Sequence, residues 1–482
     1  MLERTLTAIF FILLANHLPT HAQTYSLSQE RPPVVTREFR AAWVASVYNI
    51  DWPSSKGLSA STQQSELRAI LDQMAALKMN AIIFQIRPNA DALYRSSYEP
   101  WSPWLTGTMG CSPGYDPLAY CISQAHARGI EVHAWFNPYR ALPKDDMPVS
   151  NNHITRTHPS LIRRFKTYKW MDPSHQTTQQ RALSVILDVT RRYDIDGVHI
   201  DDYFYPYPDL DNRGRPKQNF PDGKTPSQRR AYVDKFVSNM YLSVKKQKPW
   251  IRVGISPFGI WKPGIPSGTT ASINAYEHLA ADSRKWLQRG WCDYLSPQLY
   301  WRISGPQSYT RLLSWWRGQG KRPVWPGIAT SRINSSEDPG RPASEIINQV
   351  QLSRTIGRNY AGHVHWSMKA LRQNRGGIST TLEKKSYTSV ALVPPMPWIS
   401  TKQPPSPAIT AKRGNNTTLV QWPPIQGVSK YAVQARYGKN WYTVAVLTSA
   451  QTSVNVHAYP DAIAVSSVDR YGTTSIPSVV AK

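Results

Sequence analysis

The 482-residue sequence has only three cysteines, Cys111, Cys121 and Cys292. Three thiols in a chain this long make no disulfide framework. A Cys111–Cys121 bridge and three buried free thiols both stay open. No Cys/His spacing of the zinc-site kind occurs. Acidic residues are scarce as well: 31 Asp and Glu stand against 57 Lys and Arg, a formal net charge of +26. Such an excess suits a polyanionic partner, whether nucleic acid, anionic lipid or acidic polysaccharide. Zinc-finger spacing, RNA-binding patterns and basic heptad helices are all missing, so no nucleic-acid partner is expected. Long apolar runs are missing too. The one near the start, after Arg4, is shorter than the roughly 20 residues a spanning helix needs. With Thr20-His21-Ala22 behind it, residues 1–22 read as a secretory signal peptide cleaved near Ala22. No cysteine follows to carry a lipid. The expected location is periplasmic or secreted, with no transmembrane segment after signal removal.

Aromatic residues, by contrast, are plentiful, with 18 Trp and 25 Tyr. Most such rings belong to cores, but a surplus is common on carbohydrate-facing surfaces. From Phe39 onward, eight short β-rich runs alternate with helical patterns. The runs are 39–46, 81–88, 131–138, 197–203, 252–259, 293–300, 324–330 and 362–368. Between them lie stretches such as "TQQSELRAILDQMAALKM", with apolar residues at three- and four-residue spacing. This eightfold alternation predicts an α/β fold, a closed (β/α)8 TIM barrel over residues 35–392. A proline-rich linker, "VPPMPWISTKQPP" (393–405), follows. Residues 406–482 carry short strands and no helical period, and so predict a small all-β sandwich, fibronectin type III-like, with Trp422 and Tyr431 in its core. Both a spacer and a glycan-binding role are open for it.

In such a barrel the active site lies at the C-terminal ends of the strands. Those ends are polar here in nearly every case, and a barrel built only for stability needs no such convergence. The fourth run, "DIDGVHIDDYFYP" (194–206), is the most telling. Val198 and Ile200 alternate with His199 and Asp201, so the pleat turns the apolar pair to the helices and His199 and Asp201 to the lumen. Asp202 falls on the helix side unless the chain bends at the rim. Paired carboxylates suggest glycoside hydrolysis. Asp201 is then the expected nucleophile or base. Asp202 or Asp282 is the expected acid, although Asp282, beside Arg284 and Lys285, reads equally well as a helix cap or an ion-pair partner. Two aspartates could also hold a divalent cation, but no glycine-rich acidic loop accompanies them. Neither a metal nor a cofactor is expected.

Substrate-binding candidates come from the other strand ends: Arg87 and Asn89, Asn137 and Tyr139, His199 and Tyr203, Gln298, Tyr300 and Trp301, Arg332, and Trp366. Glu277 is a weaker one. Arg87, Arg140 and Arg332 could grip a carboxylate with forked hydrogen bonds or merely balance Asp201. Trp301 and Trp366 are the best-placed rings for stacking on sugar, with Trp43, Trp101, Trp104 and Trp135 near the same rim.

The stretches "REFRAAWVASVYNIDWPS", "FQIRPNADALYRSSYEPWSPWLTG", "GYDPLAY", "HAWFNPYRA", "DGVHIDDYFYP", "DSRKWL", "DYLSPQLYW" and "HVHWSM" together resemble the glycosyl-hydrolase-like ten family, in order over about residues 35–390. The resemblance implies a TIM barrel. One branch is similar to a glycosidase that cleaves peptidoglycan strands stripped of their stem peptides, whose lactyl carboxylates would suit a basic enzyme. A fainter likeness runs to the chitinase strand-four motif. Asp196, Gly197 and Asp201 match it, His199 replaces an inner aspartate, and Tyr203 stands where the catalytic glutamate would be. That likeness implies a substrate-assisted route in which Asp201 orients an N-acetyl group. The reading is a hydrolase of anionic cell-wall glycan. A hydrolase of another extracellular polysaccharide and a non-catalytic glycan-binding protein are the alternatives.

Overall fold

The computed structural model describes residues 25–482, so the expected signal peptide lies outside the described residues. Eight parallel strands form the barrel: Phe39–Val44, Ala81–Arg87, Glu131–Phe136, Gly197–Ile200, Arg252–Ile255, Tyr294–Leu295, Gly327–Ile328 and Gly362–His365. They lie in one sheet in the order six, five, four, three, two, one, eight, seven. Parallel bridges Leu295–Val324 and Gln298–Gly327 join the seventh strand to the sixth and close the ring. The expected TIM barrel is therefore present. Each strand stops short of its sequence-predicted end, because the chain turns into a loop at the rim.

The helices between strands follow from local sequence. Pro226–Gln247 begins with a capping box, Thr225 and Gln228, and a proline in its first turn. Its buried face, Val233, Phe236, Val237, Met240, Tyr241 and Val244, recurs at helical spacing and packs on the outside of the sheet. A second core fills the lumen, with Phe39, Ala41, Trp43, Ile83, Trp135, Tyr294 and Trp325. The rings fit there because glycine stands opposite them. A Cβ on Gly254 would lie 2.0 Å from the Tyr294 ring, and one on Gly197 would lie 2.5 Å from the His133 ring.

The C-terminal unit is a β-sandwich. Thr410–Arg413, Thr417–Gln421 and Ser453–His457 form one sheet, and Val428–Tyr437, Asn440–Thr448, Ala462–Asp469 and Ser478–Ala481 form the other. Trp422 and Tyr431 meet in its core with centroids 5.1 Å apart. One strand comes from elsewhere: Ser26–Leu27 pairs antiparallel with Val480–Ala481 at the sheet edge.

The proline-rich segment is packed rather than free. Val393 and Met396 are buried, and Trp398 Nε1 donates to Asp293 Oδ1 at 2.8 Å. The sandwich sits against the N-terminal ends of the strands, opposite the expected site. Lys430 Nζ reaches Glu131 Oε1 at 3.3 Å, Arg470 pairs with Asp194, and Val35, Leu392, Ala432 and Val468 are buried in the joint. A cavity of about 260 Å³ remains there, lined in part by His126, Glu131, Asp196 and Lys430. All three cysteines are free. Cys121 is buried in the core and Cys111 is exposed, so the open alternative of a bridge between them is not realised. Among the described residues no helix is long and apolar enough to cross a membrane.

Candidate active site

The fourth strand ends at Ile200 and the chain bends at Asp202. Val198 and Ile200 join the outer core and His199 points into the lumen, as the pleat requires. Past the bend the alternation no longer applies, and Asp201 and Asp202 both face one cavity of about 230 Å³. Its walls are the indoles of Trp43, Trp135 and Trp366, the phenols of Tyr203, Tyr207 and Tyr300, and the side chains of Ser256 and Gln298.

Asp201 is 3 % exposed. Trp135 Nε1 donates to its Oδ2 at 3.0 Å and Asn137 Nδ2 at 3.2 Å. Oδ1 has only longer contacts, 3.3 Å from Asn137 Nδ2 and 3.4 Å from the Tyr203 amide. The Asn137 amide cannot flip, because its Oδ1 accepts the Arg140 amide at 2.9 Å and its NH2 must then face Asp201. Burial, and next the charge of Asp202, push the Asp201 carboxyl up to about 7, against the pull of Arg140 and the Trp135 hydrogen bond. Burial also raises Asp202, but the Tyr207 hydroxyl donates to it and favours the ionised form. Asp202 therefore ionises first, and Asp201 keeps its proton towards neutrality.

Directly below, Trp43 Nε1 donates to His199 Nε2 at 3.3 Å. Indole nitrogen is only a donor, so the His199 proton sits on Nδ1 and goes to the Tyr294 hydroxyl at 2.9 Å. Tyr294 in turn donates to His133 Nδ1 at 2.7 Å. Burial holds His199 neutral, its pKa well below 6.5. The expected substrate contact through His199 is thus corrected: the ring is fully buried and supports Trp43 and Ser256, which do line the cavity.

Of the other expected residues, Tyr203, Gln298, Tyr300 and Trp366 line the cavity, the last two with rings stacked at 6.4 Å. Asn137 acts on it through Asp201. The rest lie elsewhere. Arg87 is fully buried and forked onto Glu99. Asn89 is buried and does not line the cavity, and its side-chain Nδ2 and Oδ1 meet no partner among the described residues. Tyr139 packs on Phe236 at 5.2 Å, on the helix side of the barrel. Trp301 packs edge-on to Phe258 at 5.7 Å. Arg332 donates to the Tyr300 carbonyl at 2.8 Å and pairs with Glu337. Glu277 pairs with Arg230 at 2.8 Å. Asp282 caps the helix Ser283–Arg289, accepting the Lys285 amide, and takes the Trp261 Nε1 proton at 3.2 Å. Of its open alternatives, the cap is the one formed.

Two features escape a reading by residue type. Tyr207 touches Asp202, yet nothing in "YFYPYP" separates it from Tyr205, which bonds Asp222 instead. Tyr48 and Asn49 both take left-handed backbone angles, φ 54° and 52°, with no glycine to announce it. Such angles cost about 1–2 kcal/mol per residue. Gln85 Oε1 holds the preceding turn by accepting the Ser46 and Val47 amides, and Asn49 Nδ2 donates to the Pro53 and Trp104 carbonyls, both at 2.9 Å. The result is a Tyr48 ring tilted over Trp104 at 5.0 Å and half exposed at the rim.

Comparison with known proteins points the same way as the cavity. The Glycosyl hydrolase-like 10 family model matches residues 38–339. Glycosyl hydrolase YngK of Bacillus subtilis (strain 168) is 39 % identical over 428 residues, covering 83 % of this chain and 82 % of its own. Glycosyl hydrolase DigH of Escherichia coli (strain K12) is 34 % identical over 316 residues, 59 % of this chain and 72 % of that one. Among solved structures, the PgaB (BpsB) glycoside hydrolase domain from Bordetella bronchiseptica aligns with a TM-score of 0.48 at 12 % identity, over 72 % of this chain and 98 % of that one.

Proposed function

Because the chain belongs to the glycosyl hydrolase-like 10 family and is a glycoside hydrolase, we propose that it cleaves peptide-free strands of bacterial cell-wall glycan, in the periplasm or outside the cell. The observation that carries this reading is the pair of buried carboxylates opening on one aromatic-walled cavity. Asp201 is the general acid. It gives its proton to the glycosidic oxygen as the C–O bond breaks, and Oδ1 is the atom with room to do so. Asp202, ionised and held by Tyr207, faces the positive charge that develops at the anomeric carbon. Water supplies the hydroxyl that completes the hemiacetal, and its proton restores the acid. Trp366, the least buried of the three indoles, offers its face to the sugar ring, and Trp43 and Trp135 stand edge-on to that indole.

This assignment exchanges the roles expected from sequence, where Asp202 was one choice of acid. The exchange rests on the environments of the two carboxyls, not on their order in the chain. The choice of an anionic glycan is supported by the net charge of +26.

Cell walls stripped of peptides by an amidase are the test. The enzyme should release soluble sugars with new reducing ends from stripped walls and far less from walls with peptides intact. Asp201→Asn should lose about 100-fold or more in kcat. Faster cleavage of neutral polysaccharides than of stripped walls would refute the substrate, and an undiminished Asp201→Asn would refute the acid.

A further inference from the structure

Arginines crowd the cleft end of the barrel, and nearly all are spoken for. Arg87 is forked onto Glu99, Arg332 pairs with Glu337, Arg229 with Asp222, and Arg302 and Arg341 share Asp338. Arg140 differs. It is 7 % exposed, yet among the described residues it faces no carboxylate within ion-pair distance. Its Nε donates to the Pro88 carbonyl at 3.2 Å, and its guanidinium lies over the Tyr203 ring, 4.9 Å from the centroid. Neither Nη group meets an acceptor among the described residues. The side chain is packed along its length, but the fork itself opens to solvent and is available to a ligand.

The backbone holds that fork in place from two sides. The Arg140 amide is bound by Asn137 Oδ1, the residue that also holds Asp201. Arg140–Leu142 pairs antiparallel with Tyr168–Met171, so the segment is a strand and not a loose loop. The ring beneath the guanidinium, Tyr203, is itself a wall of the catalytic cavity. The charge of Arg140 reaches Asp201, Asp202 and, on the other side, the hydroxyl of Tyr48. Tyr48 is the half-exposed ring held over Trp104 by left-handed backbone. A cation with a free fork thus lies over Tyr203, a wall of the cavity that holds the acid pair, and its charge is also felt at an outward-facing aromatic ledge.

We propose that Arg140, with Tyr48 and Trp104 as the adjoining sugar platform, forms a subsite that reads a carboxylate substituent on the sugar next to the scissile bond. The chemical class is an N-acetylated hexose carrying an acidic ether side chain, and the inference rests on the function proposed above. A planar guanidinium suits this task better than an ammonium, because two parallel N–H groups match the two carboxylate oxygens. Arg140 is a specificity residue here and takes no part in proton transfer.

The test compares two substrates with one backbone: peptide-free glycan strands, and the same strands with their carboxyls converted to neutral methylamides. Wild-type enzyme should prefer the acidic strands. Arg140→Gln should lower kcat/KM on them by about 10- to 100-fold more than on the amidated strands, the worth of a charged hydrogen-bonded pair, and any loss common to both substrates reports its charge acting on the aspartates. Arg140→Lys should recover only part of the loss. Equal losses on both substrates would mean that Arg140 merely tunes the aspartates, and would overturn the proposal. Calorimetry with the acidic disaccharide and its methylamide adds a readout independent of turnover. If no strand is cut but Arg140→Gln still abolishes preferential binding of the acid, the hydrolytic reading fails and the subsite stands. If strands are cut and binding ignores the substitution, the subsite fails and the hydrolase stands.

Discussion

Trp135 and Asn137 hold Asp201, while Tyr207 holds Asp202, and this asymmetry splits two carboxyls that share one cavity. The Tyr207 hydrogen bond favours ionised Asp202, so its loss favours the protonated form. Tyr207→Phe should therefore move the acidic limb of the kcat/KM profile to higher pH and cost about tenfold in kcat at pH 5. The basic limb, which follows the Asp201 proton, should stay near pH 7. An acidic limb that does not move would show that Asp202 is not the group that must be ionised. Tyr207 was beyond reach of sequence reasoning because its partner is set by a loop path, not by a spacing. Asp201 was legible because a two-residue alternation runs up to it.

The elements repeat that lesson. Each barrel strand could be read from its apolar run, since a parallel strand buried on both faces leaves a continuous signal. What failed was extrapolation beyond the last paired residue. Asn137 and Tyr139 are two apart, yet the third strand ends at Phe136, so one side chain meets Asp201 and the other packs on Phe236. Arg87 looked free because Glu99 lies twelve residues on, across a loop with no periodicity. Asp282 is the converse case, a residue whose local pattern already spelled a helix cap. Asp282→Ala should lower the melting temperature, for a loss of about 0.5–2 kcal/mol, and leave kcat/KM unchanged. A large drop in kcat with the melting point intact would restore it as the acid.

At the scale of the molecule, the aromatic-walled cavity and the joint with the sandwich occupy opposite ends of the barrel. The joint with the sandwich carries His126, which bonds Asp196 at 2.8 Å and faces Asp194 and Lys430. Burial works against its charge, but the two aspartates prevail and raise its pKa above the ordinary 6.5. The stability it adds is full below about pH 6.5 and fades as pH climbs through the raised value. Differential scanning of wild type and His126→Ala should show a gap in melting temperature at pH 5.5 that closes by pH 8.5. A gap constant across that range would exclude the linkage. Asp196 and Glu131, both held below the usual carboxylate range, set the opposite edge, and the joint weakens as acid protonates them. The edge strand Ser26–Leu27 bears on the order of events at the ribosome. Its partner, Val480–Ala481, lies far downstream in the sequence, so Ser26–Leu27 must wait until that distant segment has been made before it can dock. Closure of this sheet edge is thereby a late step, and a chain interrupted before Val480 leaves Ser26–Leu27 without a strand to pair with.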